Sequence, residues 1–176
     1  MKLPISIKFS DSFYDEEVKC EYLITAKQKR IWAVELDLLS ELVRVCKKHN
    51  INFSLFAGTM LGAVRHNGFI PWDDDLDVCL DRENFTKLCQ VAEKEFCAPY
   101  FFQTSLSDEA FFCPYARLRN SKTTGVITGQ EVVCYNGGIF IDVFVVDGVA
   151  SNPIAYRVHR HLMAFEKKII QECITR

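Results

Sequence analysis

The chain has 176 residues, 49% hydrophobic and 25% charged, which suits one globular domain with a sizeable core and excludes a disordered chain. Its formal net charge of −2 offers no basic bias toward nucleic acid, and no run reaches the roughly 18 apolar residues that span a bilayer. Charges come too early and too often in residues 1–19 for a signal peptide, so the expected compartment is the cytoplasm, with peripheral membrane contact left open.

In chain order, residues 1–24 predict an extended arm with a weak strand, and residues 25–176 a single domain. Ile31, Val34, Leu38, Leu42 and Val45 step by three and four, the stripe of an amphipathic helix over 27–48 that His49-Asn50 ends. A strand over 51–57 follows, then a Gly58-Thr59 turn into a short helix over 60–66. Gly68 and Pro71 break the chain before a second strand over 76–80. Asp81 caps a helix in which Phe85, Leu88, Ala92 and Phe96 share a face. Strand-like segments at 100–104, 111–118 and 123–127 precede an apolar strand over 138–146, and Pro153 opens a final helix. This order predicts an α/β (α+β) fold with a mixed sheet flanked by helices. The eight cysteines are scattered, without a CxxC pair, and read as reduced thiols rather than a disulfide framework or zinc site.

Pro71-Trp72-Asp73-Asp74-Asp75-Leu76-Asp77-Val78 carries the chemistry. Alternate strand residues share a face about 6.6–6.8 Å apart, which puts Asp75 and Asp77 together while Leu76, Val78 and Leu80 enter the core. Carboxylates so placed repel unless one is protonated or a cation lies between them. A hard divalent ion relieves that repulsion; magnesium suits carboxylates and substrate phosphates, with manganese an alternative. The plainer reading is a solvated acidic loop. Gly58-Thr59 at a helix start offers free N–H groups and a dipole to an anion such as phosphate, although Thr is also an ordinary N-cap. Asp142, inside the apolar run Gly138-Ile139-Phe140-Ile141-Asp142, either completes the cation site or pairs with a buried arginine. Arg117 and Arg119 share a strand face, as phosphate ligands or as solvated surface residues. Trp72 reads as core before stacking platform.

These segments resemble the LicD family. Its first block stands here as GTMLGAVRHNGFIPWDDDLDV over 58–78 and its second as GIFIDVFVVDG over 138–148, with Ala116-Arg117-Leu118-Arg119-Asn120-Ser121-Lys122-Thr123 matching a basic segment between them. The resemblance implies a nucleotidyltransferase-like fold. It also implies transfer of a phospho-substituent, phosphocholine or an alditol phosphate, from a CDP-linked donor to a glycan or glycolipid acceptor. By that likeness Asp75 and Asp77 hold the metal, Asp142 is the third carboxylate, and Gly58-Thr59 meets the donor phosphates; the charge and position of Arg65 add a phosphate clamp. Family members run on past the second block, so the chain reads as a domain truncated at its C-terminus. The expected chemistry is metal-assisted displacement at phosphorus. The rivals are nucleotidyl transfer with release of pyrophosphate and a non-catalytic remnant that binds a nucleotide.

Overall fold

The computed structural model of the chain describes residues 3–111, 113–125 and 135–174. It forms two compact units, Met1–Val146 and Asp147–Arg176. The first holds a 3-10 turn (Asp11–Tyr14), β1 (Glu17–Lys19), β2 (Tyr22–Ile24), α1 (Ala26–His49), β3 (Ser54–Leu55), α2 (Ala57–His66), β4 (Asp77–Asp81), α3 (Arg82–Glu95), β5 (Tyr100–Gln103), β6 (Ala116–Asn120) and β7 (Ile139–Val146). The second holds α4 (Pro153–Ile174). Asn152 Oδ1 caps α4 by accepting from the amides of Ile154 and Ala155.

β1 and β2 form a separate antiparallel hairpin, and the other five strands form a sheet in the order β3-β4-β7-β6-β5. Only the β4–β7 pair is parallel; its neighbours run antiparallel, so the architecture is the expected α/β fold with a mixed sheet. β7 lies at the centre, paired on both edges, and its Ile141 and Val143 face the core.

The α1 stripe reads as expected: Val34, Leu38, Leu42 and Val45 are fully buried against Val78, Leu80, Leu118, Ile141 and Val143. Thr25 Oγ1 starts the helix by accepting from the Gln28 amide, and Asn50 stops it in the left-handed region at φ 53°. Asp81 caps α3, accepting from the Asn84 amide.

Three predicted strands are shorter or absent. The segment 51–57 pairs only at Ser54–Leu55, on the sheet edge. Within 111–118 only residues from Ala116 onward pair, because Pro114 has no N–H for the ladder. Residues 123–125 are not strand, and the remainder of that segment, 126 and 127, lies outside the described residues. Cys20, Cys46, Cys79, Cys89, Cys97 and Cys113 are free thiols. No helix of the described residues is long and apolar enough to cross a membrane.

Gly62, in the middle of α2, sets the path into the acidic segment. A β-carbon there would meet the Gly68 carbonyl oxygen at 2.5 Å and the Ile70 amide nitrogen at 3.0 Å. Backbone cannot yield as a flexible side chain can, so only glycine lets the 68–70 segment lie this close. Gly62→Ala is expected to cost about 1–3 kcal/mol through this overlap, in excess of the gain in helix propensity. The thermal midpoint should fall by about 2–4 °C per kcal/mol, and an unchanged midpoint would contradict the close approach.

Candidate functional site

The segment 69–77 is held from two sides. From α1, Gln28 Nε2 donates to the carbonyls of Pro71 (2.8 Å) and Asp73 (3.2 Å), and Trp32 Nε1 donates to that of Asp73 (2.9 Å). The Trp32 ring stacks on Phe69 with centroids 4.7 Å apart. From the β3–α2 turn, Thr59 Oγ1 accepts from the Asp77 amide at 2.7 Å, and the Phe56 amide donates to the Asp77 carbonyl at 3.0 Å. The Asp142 amide donates to the Leu76 carbonyl at 3.0 Å, tying the segment to β7. The peptide units on both sides of Asp77 are therefore fixed, and its side chain has one direction to take.

The helix start differs from the sequence reading. α2 begins at Ala57, whose φ of 44° lies in the left-handed region, and no side chain caps it. Gly58 and Thr59 thus fall inside the first turn, and the Thr59 oxygen accepts from the Asp77 amide, which leaves its hydroxyl hydrogen to donate elsewhere. A β-carbon on Gly58 would stand 2.8 Å from Asp73 Oδ2, so an Asp73 carboxylate already lies against this helix start.

Register brings two of the predicted acids together. Asp77 and Asp142 are direct partners in the parallel β4–β7 pair, on one face and about 4.8 Å apart by strand spacing. Asp75 precedes β4 at its exposed N-terminal end. Burial, then the charges of Asp75, Asp142 and Asp73, push the Asp77 carboxyl up to about 7. Burial, then Asp73, push that of Asp75 to about 6. Among the described residues no cation pairs with Asp73, Asp75 or Asp77, and no three metal-binding side chains converge closely enough to close round one ion.

Asp142 has a second neighbour. Arg117 Nε donates to its Oδ1 at 2.7 Å, and Arg117 Nη2 donates to the Tyr115 hydroxyl at 3.3 Å. The guanidinium lies 4.0 Å from the Phe140 ring centroid. Burial raises the Asp142 carboxyl, and Arg117 pulls against it. The arginine pairing that the sequence left open is therefore present, alongside the approach to Asp77.

Arg117 and Arg119 are 5% and 1% exposed, which sets aside the alternative of solvated surface residues. Arg119 donates to Gln103 Oε1 and the Gly138 carbonyl, spending two of its nitrogens inside the sheet. Arg65 stands exposed in the last turn of α2, about 9 Å along the axis from Thr59 at 1.5 Å per residue. Trp72 is 57% exposed, not core. Glu35 is the acid that sequence reading missed. It is buried in α1, and burial, then Asp75, Asp74, Asp73 and Asp77, raise its carboxyl well above the ordinary value. Its only signal is a charged residue inside the apolar run Trp32-Ala33-Val34-Glu35-Leu36.

Residues 50–176 match the family described as LicD/FKTN/FKRP, nucleotidyltransferase domain. The chain is 31% identical over 134 residues to the lipopolysaccharide cholinephosphotransferase LicD of Haemophilus influenzae, covering 74% of this chain and 47% of that protein. It is 41% identical over 78 residues to the uncharacterized protein RP689 of Rickettsia prowazekii, covering 44% of this chain and 27% of that one. A third relative, the uncharacterized protein RT0683 of Rickettsia typhi, is also 41% identical over 78 residues. The chain thus spans about half the length of the Haemophilus relative and about a quarter of the rickettsial ones.

The crowded acids set a pH dependence. Carboxyls raised above their ordinary value bind protons more tightly in the folded chain than in the unfolded one, so they favour folding at low pH and lose that contribution as pH rises through about 6 and 7. Without divalent ions, the thermal midpoint should fall between pH 5 and pH 8. Asp77→Asn, which removes one repelling charge, should flatten the fall and raise the midpoint at pH 8. A midpoint that is flat or rising over this window in the parent chain would contradict the crowding.

Proposed function

The chain belongs to the LicD family, and from that premise we propose that it transfers phosphocholine, or a related phospho-substituent, from a CDP-activated donor to a cell-surface glycan. A divalent cation, magnesium or manganese, is part of this reading, with Asp75 and Asp77 as its holders and Asp142 as the third carboxylate. The observation that carries it is the register pairing of Asp77 with Asp142, beside Asp75, in a crowd of carboxylates without a cation among Asp73, Asp75 and Asp77. The donor set fits a hard ion: every side chain offers oxygen, and Glu35 Oε2 is buried without a hydrogen-bond partner. Rotation of carboxylates onto a common point is required first, which side chains at an exposed loop end can make.

When bound, the cation offsets the carboxylate repulsion and polarises the donor phosphate for attack. The protein's own groups do the rest. The first turn of α2 presents its unpaired N–H groups and positive dipole end, and the Asp73 carboxylate against Gly58 is an anion already accepted there. Donor phosphate takes that place. Thr59 and Phe56 keep Asp77 fixed while charge shifts on the substrate. Asp142, raised by burial, accepts the proton of the acceptor hydroxyl, and Arg117 orients it through the 2.7 Å bond. The donor's leaving group is CMP.

The family description as a nucleotidyltransferase domain favours one other reading, transfer of a nucleotidyl group with release of pyrophosphate. Products separate the two. Incubated with magnesium, CDP-choline or CDP-ribitol and a lipopolysaccharide or teichoic-type acceptor, the chain should release CMP. Asp77→Asn should lower that release by about 100-fold or more, equivalent to at least about 2.7 kcal/mol of barrier. Pyrophosphate from CTP without CMP from any CDP-conjugate would replace this reading with the other.

A further inference from the structure

Helix α1 carries two buried carboxyls, two residues apart, in opposite circumstances. Asp37 is fully partnered: the Ser6 and Ile7 amides donate to its Oδ1 at 2.7 and 2.9 Å, and the Tyr100 hydroxyl donates to its Oδ2 at 2.8 Å. Glu35 is 2% exposed, and its Oε2 has no hydrogen-bond partner among the described residues. A buried acceptor without a donor works against folding, so Asp37 serves the fold and Glu35 does not.

Its position shows what it serves. Gln28, Trp32 and Glu35 step by four and three along α1 and so share one face. The first two donate to the carbonyls of Pro71 and Asp73, which fixes the acidic segment against that face. Glu35 comes one turn later, and the charges acting on it are those of Asp75, Asp74, Asp73 and Asp77. A fifth acid within the field of four others is relieved where positive charge is brought in. Magnesium-like ions keep several waters when carboxylates bind them, and each water has hydrogens to donate.

We propose that Glu35 is a positioning carboxylate of the cation site, an outer acceptor for the hydration shell of the ion held by Asp75 and Asp77. This rests on the cation reading above. Glu35 acts from behind the acidic segment, adding negative charge and a fixed acceptor without contacting the substrate.

The test is calorimetric titration of the full chain with manganese and with magnesium, beside thermal melting in the absence of metal. Four proteins are compared: the parent, Asp77→Asn, Glu35→Gln and Glu35→Met. Gln keeps the shape and one acceptor oxygen but loses the charge; Met keeps the approximate shape and loses both. Binding should weaken about 10- to 100-fold in the Glu35 variants, more for Met than for Gln, as for removal of other outer partners of metal sites. Metal-free midpoints should hold or rise. If the parent binds metal and Asp77→Asn does not, while both Glu35 variants bind like the parent, the Glu35 assignment fails and the cation reading stands. A parent that binds neither ion overturns both. Metal-free midpoints that drop sharply in both Glu35 variants make the residue structural and overturn its assignment alone.

Discussion

Like charges crowded at one end of β4 and β7 are the constraint on which the rest of this structure turns. Asp77 and Asp142 face each other across a parallel pair, Asp75 and Asp73 stand just before β4, and their charges act on the buried Glu35 of α1. Burial makes each ionised carboxylate costly and strengthens its repulsion of the others. Left to itself, a loop so charged would swing into water. It is kept in place by neutral hydrogen bonds to its backbone: Gln28 and Trp32 on the Pro71 and Asp73 carbonyls, Thr59 on the Asp77 amide, Phe56 on the Asp77 carbonyl. The main chain is satisfied and the carboxylates are left unneutralised, an arrangement suited to a cationic ligand.

Two arginines of β6 do enter the neighbourhood. Arg117 binds Asp142 at 2.7 Å under the Phe140 ring, and Arg119 lies one strand-alternation further along, bonded to Gln103 and Gly138. The two guanidiniums repel, and burial followed by Arg117 pushes that of Arg119 down to about 10. Negative charge on Asp142 offsets this, so the acid within β7 and the arginines of β6 stabilise each other. Asp142 is therefore tied to the fold through Arg117, whereas Asp75 and Asp77 have no such ion pair among the described residues.

Much of this was legible in the sequence, for physical reasons that differ by residue. The α1 stripe, the Asp81 cap and the apolar β7 depend on local periodicity and capping, which a linear chain displays. Asp75 and Asp77 were legible because period-two alternation with Leu76 and Val78 survives even though β4 begins only at Asp77. The bond from the Asp77 amide to the Thr59 oxygen was not legible because the two residues are 18 apart, where spacing has nothing to say. A solvated face stood open as an alternative for Arg117 and Arg119 because alternating arginines are typical of a surface strand; the aromatic ring of Phe140 and the carboxylate of Asp142 that bury them come from β7. Glu35 was hidden for a related reason. It adjoins core residue Val34 in the stripe, and only tertiary packing shows that its own direction is toward the acidic segment.

The central claim is that these carboxylates are a cation site. Anomalous diffraction from crystals soaked in manganese at pH 7.5 tests it most directly. The account predicts one strong peak at about 2–2.6 Å from oxygens of both Asp75 and Asp77. A peak bound elsewhere on the molecule, or none at saturating manganese with the acidic segment accessible, would contradict it.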